Sequence, residues 1–380
     1  MRVFACRAGA AKRGDSPGRC CGKKRCRFAM TDRVLAGVIA AETVYHFAMM
    51  RVLMILVLTI ALGACAARGV VSFVPGAMAP GAALQPVFVA SNRQEAGQGA
   101  EGLFQTRFGG VRDPQVRFAQ LVLSIPPVHQ PGRIEWPGEQ PPDPARHFVV
   151  TQETRFDRQS EFVQAVTDQK GGDVVVFVHG FNVNSAEATY RLAQIAHDFE
   201  AEGPVIAYSW PSAGSPRGYA YDRDSVIFSR DGLEQLLIAL TGRGQRVLLV
   251  AHSMGSQLVM EVLRQLSIAG QGDVLARLSG VALISPDIDE DVFRQQATRI
   301  APFPQPFMLI VSSRDRALGL SAFLTGKPAR LGSIDAPELL ADLPLQVVDL
   351  SDIREGDLSG HTTAFTAPAA IRLLRDLALD

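Results

Sequence analysis

A serine hydroxyl becomes a useful nucleophile only when an imidazole takes its proton and a carboxylate fixes the tautomer of that imidazole. This chain offers such a set in one order. The run from Arg246 to Met260 reads as an apolar strand that turns into a helix, with Ser253 at the turn. Ala251 and Gly255 stand two positions to either side, small enough for the sharp bend that lifts a hydroxyl above a sheet. The bland alternative is a serine that caps the helix. Asp315 follows the apolar run 307–311, and His361 follows 345–350 and precedes the terminal helical segment. The order Ser, acid, His is the one in which successive strand ends would present a triad. His361 is the only histidine after Ser253, and it sits in a polar loop. We therefore expect Ser253 as nucleophile, His361 as base and Asp315 as the orienting acid. Asp287, in Ser-Pro-Asp287-Ile-Asp289, is the second choice for the acid, and Asp289 reads as the cap of the next helix.

Attack on a carbonyl also needs donors for the oxyanion, each worth roughly 3–4 kcal/mol. The strand 174–178 ends in His179-Gly180-Phe181-Asn182, and the glycine lets backbone approach a substrate closely. The backbone N–H groups of Phe181 and Met254 are the expected pair. His179 and His252 are expected to pack and hydrogen-bond beneath the site. The segment 210–221, rich in Gly, Pro, Ser and aromatics, places Tyr219 and Tyr221 as candidate pocket walls.

Positioning such residues requires strand ends on a common edge. Near-continuous apolar runs at 173–178, 204–208, 246–250, 280–284, 307–311 and 345–350 imply strands buried on both faces. Helical candidates at 185–201, 225–240, 255–266, 289–298 and 364–379 alternate with them. The pattern predicts an α/β fold: a doubly wound, mostly parallel sheet. A strand-rich N-terminal layer precedes it, with strand-like segments at 86–91, 116–125 and 147–156 and seven prolines across 126–144.

Several motifs in fixed order carry a family resemblance: His179-Gly-Phe-Asn-Val-Asn184, Tyr208-Ser-Trp-Pro-Ser212, Ala251-His-Ser-Met-Gly255, Ser285-Pro-Asp-Ile-Asp289 and Ser312-Ser-Arg-Asp-Arg-Ala-Leu318. From about Phe88 to His361 the chain resembles a bacterial, esterase/lipase-like branch of the alpha/beta-hydrolase superfamily, usually labelled domain of unknown function 900. There the histidine is typically followed by a serine and an aromatic; here Thr362 and Thr363 intervene before Phe365. The resemblance implies hydrolysis of an ester-like bond and leaves the substrate open. A carboxylesterase acting on a small-molecule or lipid ester through an acyl-enzyme on Ser253 is the expected activity, with no cofactor and no metal. The same machinery would serve a thioesterase, an acyltransferase or an amidase. The rival from another class is a catalytically silent envelope protein that binds lipid or a partner through the pocket.

The 38 basic and 38 acidic residues balance, but residues 1–64 hold 11 of the former and 3 of the latter. The remainder carries 27 against 35, and a body of net −8 would repel nucleic acid. All five cysteines lie at or before Cys65, so no disulfide framework braces the body. Cys20, Cys21 and Cys26 lack the paired spacing of a metal site. Arg51, the apolar run 52–62 and Leu62-Gly-Ala-Cys65 have the layout of a signal peptide ending in a lipobox, which resembles those of bacterial lipoproteins. We expect 1–49 to precede the true start at Met49 or Met50, 50–64 to be the signal peptide, 65–85 a tether lipidated at Cys65, and 86–380 the hydrolase domain. The lipid anchor implies membrane attachment in the cell envelope, at the outer membrane rather than the inner.

Overall fold

The structure is a computed structural model in which residues 49–51, 68–95, 108–138, 140–326, 330–334 and 340–379 are described. The expected signal segment 52–64 and Cys65 lie outside the described residues; of the unit 1–67 only 49–51 are described, and these are helical and exposed. Residues 68–380 form one compact unit. No helix among the described residues is long and apolar enough to cross a membrane.

A nine-stranded sheet organises this unit: β1 (Ala83–Glu95), β2 (Phe108–Ile125), β3 (Val149–Phe156), β4 (Val174–Val178), β5 (Val205–Ser209), β6 (Val247–His252), β7 (Leu278–Ile284), β8 (Phe307–Val311) and β9 (Gln346–Asp349). Their spatial order is β3-β2-β1-β5-β4-β6-β7-β8-β9. Every pair from β1–β5 to β8–β9 is parallel, and only β1–β2 and β2–β3 are antiparallel. The sheet is thus doubly wound and mostly parallel. The strand-rich N-terminal segment is not a separate layer, because β1 pairs with β5 and extends the same sheet.

Alternation along each strand explains why both faces need cover. Val174, Val176 and Val178 enter one core with the helices Tyr219–Gly242 and Gly255–Ile268, whereas Phe177 enters the other with the helix Ser185–Asp198. In β7, Val281 and Leu283 join the first core, while Ala282 and Ile284 pack with Phe365 and Ala370 near the C-terminus. The expected terminal helix 364–379 is broken into Thr363–Thr366 and Pro368–Leu379. Pro368 has no N–H to continue the first turn, yet it suits the first position of the second.

The chain leaves β4 for β5 on one side and returns to β6 on the other, so the sheet order reverses between β4 and β6. A crevice opens at the carboxyl ends of strands at such a switch. The loops after β4 and β6 carry Phe181 and Ser253.

Candidate active site

Ser253 sits directly after β6 with φ +53, a left-handed conformation that a side chain disfavours and that a strand-to-helix elbow imposes. The turn is held against β7: Ser253 N donates to Ile284 O at 2.9 Å, and Asp287 N donates to Ser253 O at 3.2 Å. Gly255 is required by packing, since a Cβ there would lie 2.4 Å from His179 O. Gly180 is required likewise, because its Cβ would lie 2.8 Å from Ser253 Cβ. These two glycines bring the loop after β4 against the serine.

The structure brings Asp315 and His361 together. Asp315 Oδ2 lies 2.6 Å from His361 Nδ1, so the proton sits on Nδ1 and Nε2 is left with a lone pair. The carboxylate side chain is fully shielded from solvent. Its other oxygen accepts Leu318 N at 3.0 Å and caps the helix Arg316–Thr325. Asp357 shapes the histidine loop, accepting Thr362 N at 2.8 Å and Ser359 N at 3.0 Å. Although burial pushes the Asp357 carboxyl up, the bonds from Ser359 and Thr362 hold it below the usual carboxylate range. From below, His252 Nε2 donates to the carbonyl of His361 at 3.0 Å, with the two rings 4.6 Å apart. Burial, and then the neighbouring His361, hold His252 well below the ordinary histidine range and therefore neutral. The remaining link is open: Ser253 Oγ makes no hydrogen bond to His361 or to any other described residue. Such bonds are often long in unliganded enzymes and tighten around substrate.

Phe181 N and Met254 N have no acceptor among the described residues, and the helix Gly255–Ile268 begins without a side-chain cap. Two unspent donors therefore flank the serine at the positive end of a helix. The loop that carries Phe181 is fixed from several sides. Asp222 accepts Asn182 N, Ala213 N and Ser212 Oγ at 3.2, 2.6 and 2.6 Å. Beneath lies Arg93, buried in β1 and bonded to no carboxylate among the described residues. Its guanidinium donates to Ser209 Oγ, Gly109 O, Ser212 O and Val183 O at 2.8–3.1 Å and reaches His179 Nε2 at 3.3 Å. The neutral ring has one proton for two carbonyls, Gly180 O at 2.9 Å from Nδ1 and Trp210 O at 3.1 Å from Nε2; placed on Nδ1, it leaves Nε2 to accept from Arg93, which can only donate. Burial lowers Arg93 to about 9; burial and Arg93 together lower His179 to about 3, so His179 is neutral.

Asp287, the second-choice acid, is committed elsewhere. It pairs with buried Arg330 at 3.0 Å and accepts Ser321 Oγ at 2.6 Å and Tyr219 Oη at 3.0 Å. Tyr219 packs edge-on to Phe181, and burial followed by Asp287 raises its phenol above the ordinary range. Tyr221 is placed differently: its hydroxyl donates to Gly110 O and its ring stacks under Arg112 on β2. Two positions apart on one helix, these tyrosines cannot share a face, so only Tyr219 stands by the serine loops.

Comparison with known proteins adds the family. Residues 154–376 match the alpha/beta hydrolases of unknown function. The chain belongs to that family. No protein of curated function matches. Similar solved structures include a predicted CIB-like hydrolase from Thermoplasma acidophilum (12% identity, TM-score 0.36, covering 68% of this chain and 92% of that one). A dienelactone hydrolase from Anabaena variabilis (12%, 0.35, 69% and 89%) and an esterase from Pyrobaculum calidifontis (10%, 0.34, 70% and 80%) are others. Likenesses this distant carry nothing about the activity of this hydrolase.

The hydrolase also uses residues that sequence reading passed over: Arg93, Asp222, Arg330 and Asp357. An arginine two residues past the expected end of β1 reads as the strand's polar terminus. Only the assembled fold shows that it is buried.

Proposed function

We propose that this alpha/beta hydrolase cleaves a carboxylic ester through an acyl-enzyme on Ser253. The observation that carries the reading is the shielded 2.6 Å contact between Asp315 and His361 Nδ1, which leaves Nε2 as the base. In the first step Ser253 Oγ attacks the ester carbonyl while His361 Nε2 takes its proton. The oxyanion receives the N–H groups of Phe181 and Met254, and His361 returns the proton to the departing alcohol. Water, deprotonated by the same imidazole, then releases the acid and restores the serine. No step calls for a metal or an organic cofactor. A thioester or amide would pass through the same groups, so the machinery defines the reaction class rather than the leaving atom. Tyr219 and Phe181 form one wall of the acyl pocket in this reading.

A fluorophosphonate probe tests the nucleophile. The wild-type protein is expected to label and to hydrolyse short p-nitrophenyl esters, and Ser253→Ala to do neither. Labelling of Ser253→Ala at the wild-type level refutes the assignment. The reading extends to location: lipidation of Cys65 would tether the hydrolase to the envelope, at the outer membrane. Metabolic palmitate labelling that persists in Cys65→Ser overturns the tether without touching the chemistry.

A further inference from the structure

The helix Arg316–Thr325 has two apolar faces. Leu318, Ser321 and Ala322 point inward, where Ser321 bonds Asp287 and Tyr219 of the site. Outward stand Leu320, Phe323 and Leu324, with 60%, 81% and 55% of their surfaces exposed. An exposed phenylalanine between two exposed leucines on one helix marks a contact surface rather than a scattered surface residue. Arg316 lies one turn before Leu320 on the same face. It also lines a cavity of about 300 Å³ together with Arg314, Arg354 and Leu358, the last almost wholly exposed. Of the three carboxylates in that lining, Asp315 and Asp357 are taken up by His361 and by the 359–362 turn. Among the described residues Arg314, Arg316 and Arg354 make no ion pair, and Glu355 is the one lining carboxylate left to balance three guanidiniums.

We propose that this face docks on an anionic phospholipid bilayer, with Leu320, Phe323 and Leu324 entering the acyl boundary and Arg314, Arg316 and Arg354 meeting the headgroups. Apolar residues rimmed by unpaired cations are what such an interface binds. A second copy of the chain would fit poorly, because a two-fold contact through this patch sets the arginines against one another. The placement also assigns a substrate class, lipid esters leaving the bilayer beside the capped end of this helix. That part rests on the ester-hydrolase reading; the docking does not.

The full chain with Phe323→Trp is mixed with vesicles of brominated phosphatidylglycerol and phosphatidylcholine. The native tryptophans, buried Trp210 and half-buried Trp136, give the background in wild type. Docking predicts a blue shift and quenching well above that background. It also predicts that charge reversal at Arg314, Arg316 and Arg354 weakens vesicle affinity by about tenfold or more at low salt. Quenching equal to wild type overturns the proposal. So does a blue shift that grows with protein concentration without vesicles, since a second copy would then cover the patch. In a parallel assay Leu320→Asp/Phe323→Asp should leave hydrolysis of a soluble short-chain ester unchanged and lower that of a vesicle-borne ester at least about tenfold. Equal loss on both substrates overturns the delivery role. A wild type inactive on both sinks the ester reading and leaves the quenching result standing.

Discussion

Replacing Arg93 by methionine keeps the length and flexibility of the stem and removes five hydrogen bonds at once. Three carbonyl oxygens, one hydroxyl and one imidazole nitrogen then lack their donor in a buried place. At about 1 kcal/mol for each orphaned acceptor the loss approaches 5 kcal/mol. Part returns, because the burial that lowers Arg93 to about 9 also marks a desolvation cost that methionine escapes. The net expectation is roughly 2–4 kcal/mol of stability, read as a lower urea midpoint at unchanged slope. Activity should fall as well, since the Val183 carbonyl is released and Phe181 N–H drifts from the oxyanion. Loss of one such donor amounts to about 100-fold in kcat. Arg93→Lys, with three donors for five acceptors, should lie between. A methionine variant within about 0.5 kcal/mol of wild type, with full kcat, would refute the assignment of this arginine as the support of the loop.

Three further perturbations separate structure from chemistry. Asp315→Asn can still accept Leu318 N and keep the helix cap, but it no longer fixes the His361 tautomer; kcat/KM should fall about 1,000-fold or more at an unchanged urea midpoint, and a loss below about tenfold would contradict the role. Gly180→Ala would push a methyl to 2.8 Å from Ser253 Cβ and 2.9 Å from His252 Nδ1, so steady-state kinetics should show kcat down about 100-fold with KM little changed. His129 lies between Glu135 and Asp198, each at 2.9 Å. Burial opposes its charge, but the two carboxylates win and raise it to about 9. The folded state therefore holds the proton more tightly. Its stabilising contribution is complete below about pH 6.5 and vanishes as the pH rises through about 9. Unfolding free energies of wild type from urea titrations should drop across that window by about 2 kcal/mol, once partial solvent screening is allowed for, and those of His129→Gln should stay flat.

Much of the fold was readable because parallel strands buried on both faces carry their own signal. The runs at 173–178 and 307–311 differ from β4 and β8 by at most one residue. Helices with one apolar stripe were equally plain, and Asp289 caps its helix as expected. The helix Arg316–Thr325 was not foreseen, because leucines and a phenylalanine occupy both its faces and erase the 3.6-residue period. Gln159–Thr167 escaped as well: it is nine residues long and starts at Arg158, which makes no side-chain cap. In the site, order along the chain sufficed to rank Asp315 first and to pair it with His361, whose side chains the fold brings within 2.6 Å. The supports did not follow from order, since Arg93 draws its acceptors from segments up to 119 residues away. Asp287 and Asp315 both end strands in polar loops; only the buried Arg330 beside the former tells them apart.

The elbow serine carries a consequence for how this protein would drift if selection on its chemistry were relaxed. Holding a side chain at φ +53 costs roughly 1 kcal/mol, which glycine would not incur. A Ser253→Gly chain is thus expected to melt a few degrees higher while turning over nothing. Longevity and reactivity pull in opposite directions at this one position, and keeping serine there trades some durability for a raised hydroxyl.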